Sequence, residues 1–161
     1  MKASILIMRN MEDVFAFFTH PENLFDTKRK RWISFDPPGP VSAGSSVNAN
    51  FRIGPIAGTA TYEVTTFDRP HRLAFLVTSH AASIGGVNTS IKSYRVRSVL
   101  PMEDAIELRA APGGARLTRT VDVKSKNPFA WIIGLPFSPV GNSGTRRELR
   151  RLKALIESEL P

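Results

Sequence analysis

From about residue 45 to residue 124 the chain reads as one strand after another. This run is bracketed by a short amphipathic helix near residues 11 to 18 and by one long amphipathic helix ending at Glu159. A meander of that length can curl on itself, and a single terminal helix can close it, so the layout points to a container rather than a solid core. Val47, Ala49, Phe51 and Ile53 alternate with Asn48, Asn50 and Arg52, which turns the first set inward and the second outward. Gly54-Pro55 turns the chain into a strand over Thr59 to Phe67, and Arg69-Pro70 turns it again, so that Leu73, Phe75 and Val77 supply the next apolar face. Ser79 to Ser90 is a stretch of small residues without periodicity and is expected to be a loop at the mouth of the sheet. Strands resume at about 91–100, 105–111 and 116–124, with Pro112-Gly113-Gly114 as the turn between the last two.

The flanks are helical for different reasons. Residues 1–10 read as a first strand, and Asn10 then caps a helix whose apolar positions are Met11, Val14, Phe15 and Phe18. Pro21 opens a second short helix over Pro21 to Phe25. Lys28 to Arg31 form a basic run before Trp32-Ile33-Ser34-Phe35, and the prolines and glycines of residues 37–45 make a loop. Beyond Pro128 helix is expected again, broken or kinked at Pro136, Pro139, Gly141 and Gly144. From Thr145 a stripe of Leu149, Leu152, Ile156 and Leu160 lies opposite Arg146, Arg147, Arg150, Arg151 and Lys153, with Leu155 at its edge.

With 161 residues the chain is expected to form one domain spanning 1–161. It has no cysteine, which excludes disulfides, thiolate nucleophiles and Cys-ligated zinc. The apolar patch before Arg9 is too brief for a signal-peptide core, and the longest apolar stretch, Phe129 to Phe137, is far short of the roughly 20 residues needed to span a bilayer. A cytoplasmic location is therefore expected. The net charge of +8 favours anionic partners of any kind, and its placement at 28–31 and on the last helix suits transient contact with an anionic membrane surface. Basic residues interleaved with aromatics on one strand face are absent, and no nucleic-acid-binding motif occurs, so no specific nucleic acid is expected.

The ordered pieces Val14-Phe15-Ala16-Phe17, Pro21-Glu22-Asn23-Leu24, Tyr62-Glu63-Val64, Arg69-Pro70-His71-Arg72-Leu73-Ala74-Phe75, Gly113 to Val121 and Leu152 to Glu157 cover almost the whole chain. In that order the sequence resembles the START-like (SRPBCC, Bet v 1-like) superfamily, and more narrowly its polyketide cyclase/dehydrase and lipid-transport families. The resemblance implies an α+β helix-grip fold. In it a curved antiparallel β-sheet of about seven strands wraps around a long C-terminal helix, two short helices follow the first strand, and an apolar cavity separates sheet from helix. The chain departs from the pattern in its short first strand, in Ala115 where Thr is frequent, and in the interruption from Pro136 to Gly144.

Candidate chemistry is sparse. His20, His71 and His80 lack metal-ligand spacing, no Gly-x-Ser-x-Gly elbow or phosphate loop occurs, and neither a metal nor a cofactor is expected. The residues expected to line a ligand site are Phe51, Tyr62, Phe75, Tyr94, Arg119, Trp131 and Ile132. Arg119 shares parity with Leu117, Val121 and Val123, so strict alternation places a guanidinium on the apolar face. If buried it requires an anion, either a protein carboxylate such as Glu63 or a ligand carboxylate, phenolate or phosphate; otherwise a twist, bulge or edge lets it reach solvent, the favoured expectation. Tyr62 and Tyr94 are either core tyrosines or polar groups for a substrate. Trp131 and Ile132 belong to a segment apolar nearly all round, suited to a doubly covered core or to a cavity lid. Three functions are weighed from the sequence: a carrier or sensor of an apolar or amphipathic small molecule such as a lipid, isoprenoid or polyketide; a cyclase, aromatase or dehydratase using Tyr62, Tyr94 or Arg119; and, least favoured, a basic nucleic-acid binder motivated by the +8 charge alone.

Overall fold

The computed structural model describes residues 2–25, 33–53, 56–84, 94–96, 101–123 and 141–159, with the side chains of all these except 25, 53, 56, 79–84, 94–96, 141–145 and 159. The chain begins with β1 (Lys2–Ile7), α1 (Met11–Phe18) and a 3-10 helix (Pro21–Phe25). Then come β2 (Ile33–Asp36), β3 (Ser46–Ile53), β4 (Ile56–Asp68), β5 (Arg72–Ile84), β6 (Tyr94–Val96), β7 (Pro101–Ala111) and β8 (Gly114–Val123), and α2 (Gly141–Glu159) ends it.

The helix α1 starts where Asn10 stops the extended chain: its Oδ1 accepts a 2.8 Å hydrogen bond from the Asp13 amide, satisfying a donor that helix geometry leaves over. Val14, Phe15, Phe17 and Phe18 are buried, and Phe15 sets its ring edge-on to Phe67 of β4 at 5.3 Å. Asn23 of the 3-10 helix donates to the Phe17 carbonyl at 2.7 Å, which fastens the second short helix to the first.

All strand pairs are antiparallel, in the order β1-β8-β7-β5-β4-β3-β2, with β6 paired to β5 off this path. The period-two pattern survives as a buried face of Val47, Ala49, Phe51, Ala60, Tyr62 and Val64. Strand β4 carries register shifts between Thr59 and Ala60 and between Val64 and Thr66. The second shift returns Phe67 to the inner face three residues after Val64 instead of two.

Two expectations are corrected. The loop read at Ser79 to Ser90 is strand as far as Ile84, where Ala81, Ala82 and Ser83 pair with Thr59, Gly58 and Ala57. Small residues carry no hydrophobic pattern, and the backbone ladder to the neighbouring strands extends β5 regardless; residues 85–90 lie outside the described ones. The last helix begins at Gly141 and runs through Gly144, where a break was expected. A glycine costs about 1 kcal/mol in a helix interior. Fully buried Leu149, Leu152 and Ile156 farther along α2 offset that cost. Pro136 and Pro139 lie outside the described residues.

Helix α2 packs along β1, and its last turn is tied to the β1–α1 junction. The Met8 amide donates to the Glu157 carboxylate at 2.7 Å and the Arg9 guanidinium to the Glu157 carbonyl at 2.9 Å. The outer face of α2 is basic as expected, with Arg146, Arg147, Arg150 and Arg151 exposed. Among the described residues no helix is long and apolar enough to cross a membrane.

Candidate functional site

On the inner face of the sheet one diagonal band departs from plain hydrocarbon. Tyr62 of β4 lies between two phenylalanine rings, Phe35 of β2 at 5.3 Å and Phe75 of β5 at 6.1 Å, both edge-on. Phe75 is the cross-strand partner of Asp104 on β7, and Asp104 is the partner of Val121 on β8, two residues from Arg119. On a twisted sheet such a diagonal neighbour is within reach of a long side chain. The sheet thus brings together Tyr62, Phe75 and Arg119 of the expected residues. Phe51 shares the buried face but pairs with Gly58, four residues from Tyr62 along β4. Tyr94 sits in β6 opposite Ile84, with its side chain outside the described residues, as are Trp131 and Ile132.

Arg119 does not reach solvent, which corrects the favoured expectation: its side chain is 3% exposed. Its carboxylate partner is Asp104, not Glu63, which is exposed on the opposite face of β4. The guanidinium donates through Nε to Oδ1 at 2.9 Å and through Nη2 to Oδ2 at 2.6 Å, a bidentate fork. Nη1 donates to the Leu24 carbonyl of the 3-10 helix at 3.0 Å and lies 3.9 Å from Glu148 of α2. A single side chain therefore joins β8, β7, the 3-10 helix and the terminal helix.

Burial alone would lower the Arg119 pKa, but Asp104, through charge and hydrogen bonding, and Glu148 outweigh it and hold the guanidinium above its ordinary value. Burial, with Asp104 next, pushes the Tyr62 phenol upward; Arg119 opposes the shift and Glu148 adds to it. At neutral pH the site therefore presents a charged, engaged guanidinium and a neutral phenol. A phenol held so high is a poor proton donor and an unavailable base near pH 7.

Sequence reasoning missed Asp104 and Glu148. The signal for Asp104 was present: it shares parity with Met102, Ile106 and Leu108 as Arg119 does with Leu117 and Val121, and the Gly113 turn makes the two strands a hairpin. Opposite charges on the inward parity of one hairpin satisfy each other. Of the histidines, His71 is exposed and His20 half-buried, while the His80 side chain is outside the described residues.

No family model matches the chain, and no curated protein matches it in sequence. Solved structures do match in shape. A protein from Arthrobacter aurescens superposes with a TM-score of 0.64 at 12% identity, over 99% of this chain and 86% of that one. Ara h 8.0201 gives 0.57 at 11% identity over 98% and 94%. DynU16, from the dynemicin biosynthetic locus, gives 0.54 at 15% identity over 98% of this chain and 46% of its own. The fold is the α+β helix-grip, of the Bet v 1-like kind. In that frame the diagonal band from Phe35 to Arg119 lies across the inner face of the grip, and Glu148 approaches it from the gripping helix.

Proposed function

We propose that this chain binds an apolar or amphipathic small molecule of the lipid, isoprenoid or polyketide type between the sheet and α2, as a carrier or sensor in the cytosol. The observation that carries the reading is the inner face of the grip. It is apolar from Val47 and Phe51 on β3 to Leu117 and Val121 on β8, and among the described residues its buried charges are the Asp104 and Arg119 pair. In this reading Phe51, Tyr62 and Phe75 form the aromatic wall of the site, while the side chain of Tyr94 and residues Trp131 and Ile132, also expected there from the sequence, lie outside the described residues. Tyr62 and Phe75 have no exposed surface, so ligand entry there requires the layers over them to part. Native mass spectrometry of freshly purified protein tests the reading. A reproducible adduct released by organic extraction is expected, and its consistent absence counts against a carrier.

The exposed arginines of α2 suit collection or delivery of such a ligand at an anionic membrane surface. Flotation with phosphatidylglycerol-containing vesicles at low salt tests this contact.

A second reading, a cyclase- or dehydratase-type enzyme, is favoured by the phenol and guanidinium adjoining one apolar wall. It ranks lower because an enolate needs donors aimed at it, and the three Arg119 nitrogens are already engaged by Asp104 and Leu24. Polyketide turnover lost in Tyr62→Phe while the fold is retained would restore it.

A further inference from the structure

We infer that α2 docks the protein on an anionic bilayer through the outer face of residues 146–151 by headgroup contacts alone, with no side chain inserted among the acyl chains. This rests on the membrane contact proposed above and deepens it, independently of what the grip holds.

Arg146, Arg147, Arg150 and Arg151 are all exposed, and at about 3.6 residues per turn they fall within one arc of about 140° and about 8 Å of helix axis. Arg146 with Arg150 and Arg147 with Arg151 are like-charge neighbours one turn apart, an arrangement that weakens a helix. No internal contact offsets it: among the described residues none of the four guanidinium groups has an ion-pair or hydrogen-bond partner. The other charges of α2 are used by the fold. Lys153 lies 3.6 Å from Glu157, whose carboxylate accepts from the Met8 amide, and Glu148 approaches Arg119 at 3.9 Å.

The rest of the arc selects the partner. Its other exposed residues are Ala154 and Ser158, and the exposed large hydrophobic among the described residues, Met8, sits at the opposite end of α2 beside Glu157. A protein interface needs aromatic or aliphatic anchors to bury, and a single-stranded nucleic acid needs aromatic platforms to stack on. A helix that reads a DNA groove must stand clear of its own fold, whereas α2 is held down by buried Leu149, Leu152 and Ile156. An anionic bilayer asks only for charge on an open face. With no large apolar side chain on that face, the contact stops at the headgroups.

Flotation with vesicles of equal parts phosphatidylglycerol and phosphatidylcholine, prepared small and large, tests the inference. Binding at low salt is expected to disappear at about 1 M salt, where the screening length shrinks to about 3 Å. It is expected to be equal on both vesicle sizes, because inserted helices are the ones that sense curvature. Arg147→Gln with Arg150→Gln is expected to weaken partitioning about twentyfold or more. Arg109→Gln with Arg116→Gln removes the same charge from an exposed pair facing each other near the β7–β8 turn, and is expected to weaken it less than about threefold. Equal loss in the two double variants overturns the inference in favour of net charge, and binding that survives high salt or prefers small vesicles overturns it in favour of insertion; either result leaves membrane contact standing. Absence of flotation at low salt overturns the contact and this inference together, while the ligand in the grip is read separately by native mass spectrometry.

Discussion

Arg119 and Asp104 face each other diagonally across the β7–β8 hairpin, locked by two hydrogen bonds of 2.9 and 2.6 Å at a depth where each side chain is 3% exposed. Two ions in such a place oppose the cost of leaving water by their geometry, and each becomes a liability once the other is removed. The third donor direction, to Leu24, and the approach of Glu148 extend this dependence to both helical layers.

Asp104→Ala is accordingly expected to destabilise the chain by about 3–5 kcal/mol, because it leaves a buried guanidinium without its counter-ion. The double substitution Asp104→Leu with Arg119→Met removes both charges and is expected to recover most of that loss. Urea unfolding of the two variants checks the pair, and equal loss in both would show that shape rather than charge sets the cost.

Tyr62 and Tyr94 are the two tyrosines of the chain, which makes the phenol measurable. Burial raises the folded-state pKa of Tyr62 above its ordinary value of 10.0. Below that value the folded and unfolded phenols are both protonated and the full contribution to stability is present. As pH rises past it the unfolded phenol ionises first, so stability falls. The alkaline absorbance titration of the folded protein is expected to be the same in wild type and Tyr62→Phe up to the onset of alkaline unfolding. A titration step near pH 10 that disappears in Tyr62→Phe contradicts the assigned burial.

Leu152 is fully buried on the inner face of α2, whereas Ala154, two residues on, is exposed. Leu152→Ala is expected to cost about 2–5 kcal/mol by lost transfer energy and the cavity left behind. Ala154→Ser is expected to stay within about 0.5 kcal/mol. Calorimetric or denaturant unfolding of the two separates a helix gripped by the sheet from one that merely caps it.

Gly113 and Gly114 adjoin in the β7–β8 turn but serve different needs. Gly113 has φ +80°, a conformation that Asn tolerates, whereas a Cβ on Gly114 would collide with the carbonyl oxygen of Ile7 on β1. Gly114→Ala is expected to cost about 1–3 kcal/mol. Gly113→Asn is expected to cost less, and hydrogen exchange is expected to show the Gly114 variant loosening β1 in particular. The reverse ranking would mean that turn conformation, not the approach of β1, requires the second glycine.

How much was legible depended on whether the signal was local. Asn10 and the four-residue spacing of Val14 and Phe18 define α1 without help from the rest of the chain, and the alternation of Val47, Ala49 and Phe51 fixes which face of β3 is buried. The continuation of β5 through Ala81 to Ile84 was not legible, since its small residues carry no period of their own and the pairing partners lie on distant strands. Nor was the start of α2 at Gly141, where a helix tolerates glycines because residues farther on are buried.

The candidate site divides along the same line. The sequence by itself determined that Arg119 and Tyr62 belong to the inner face, because strand geometry sends every second side chain to one side. Only the tertiary structure decided what Arg119 does there. Its partners come from β7, the 3-10 helix and α2, respectively 15, 95 and 29 positions away in the chain. A guanidinium that sequence parity offers to a ligand anion is thereby spent on the protein's own carboxylate. Those partners are set by which strands and helices the fold lays side by side, a long-range outcome that no local period encodes.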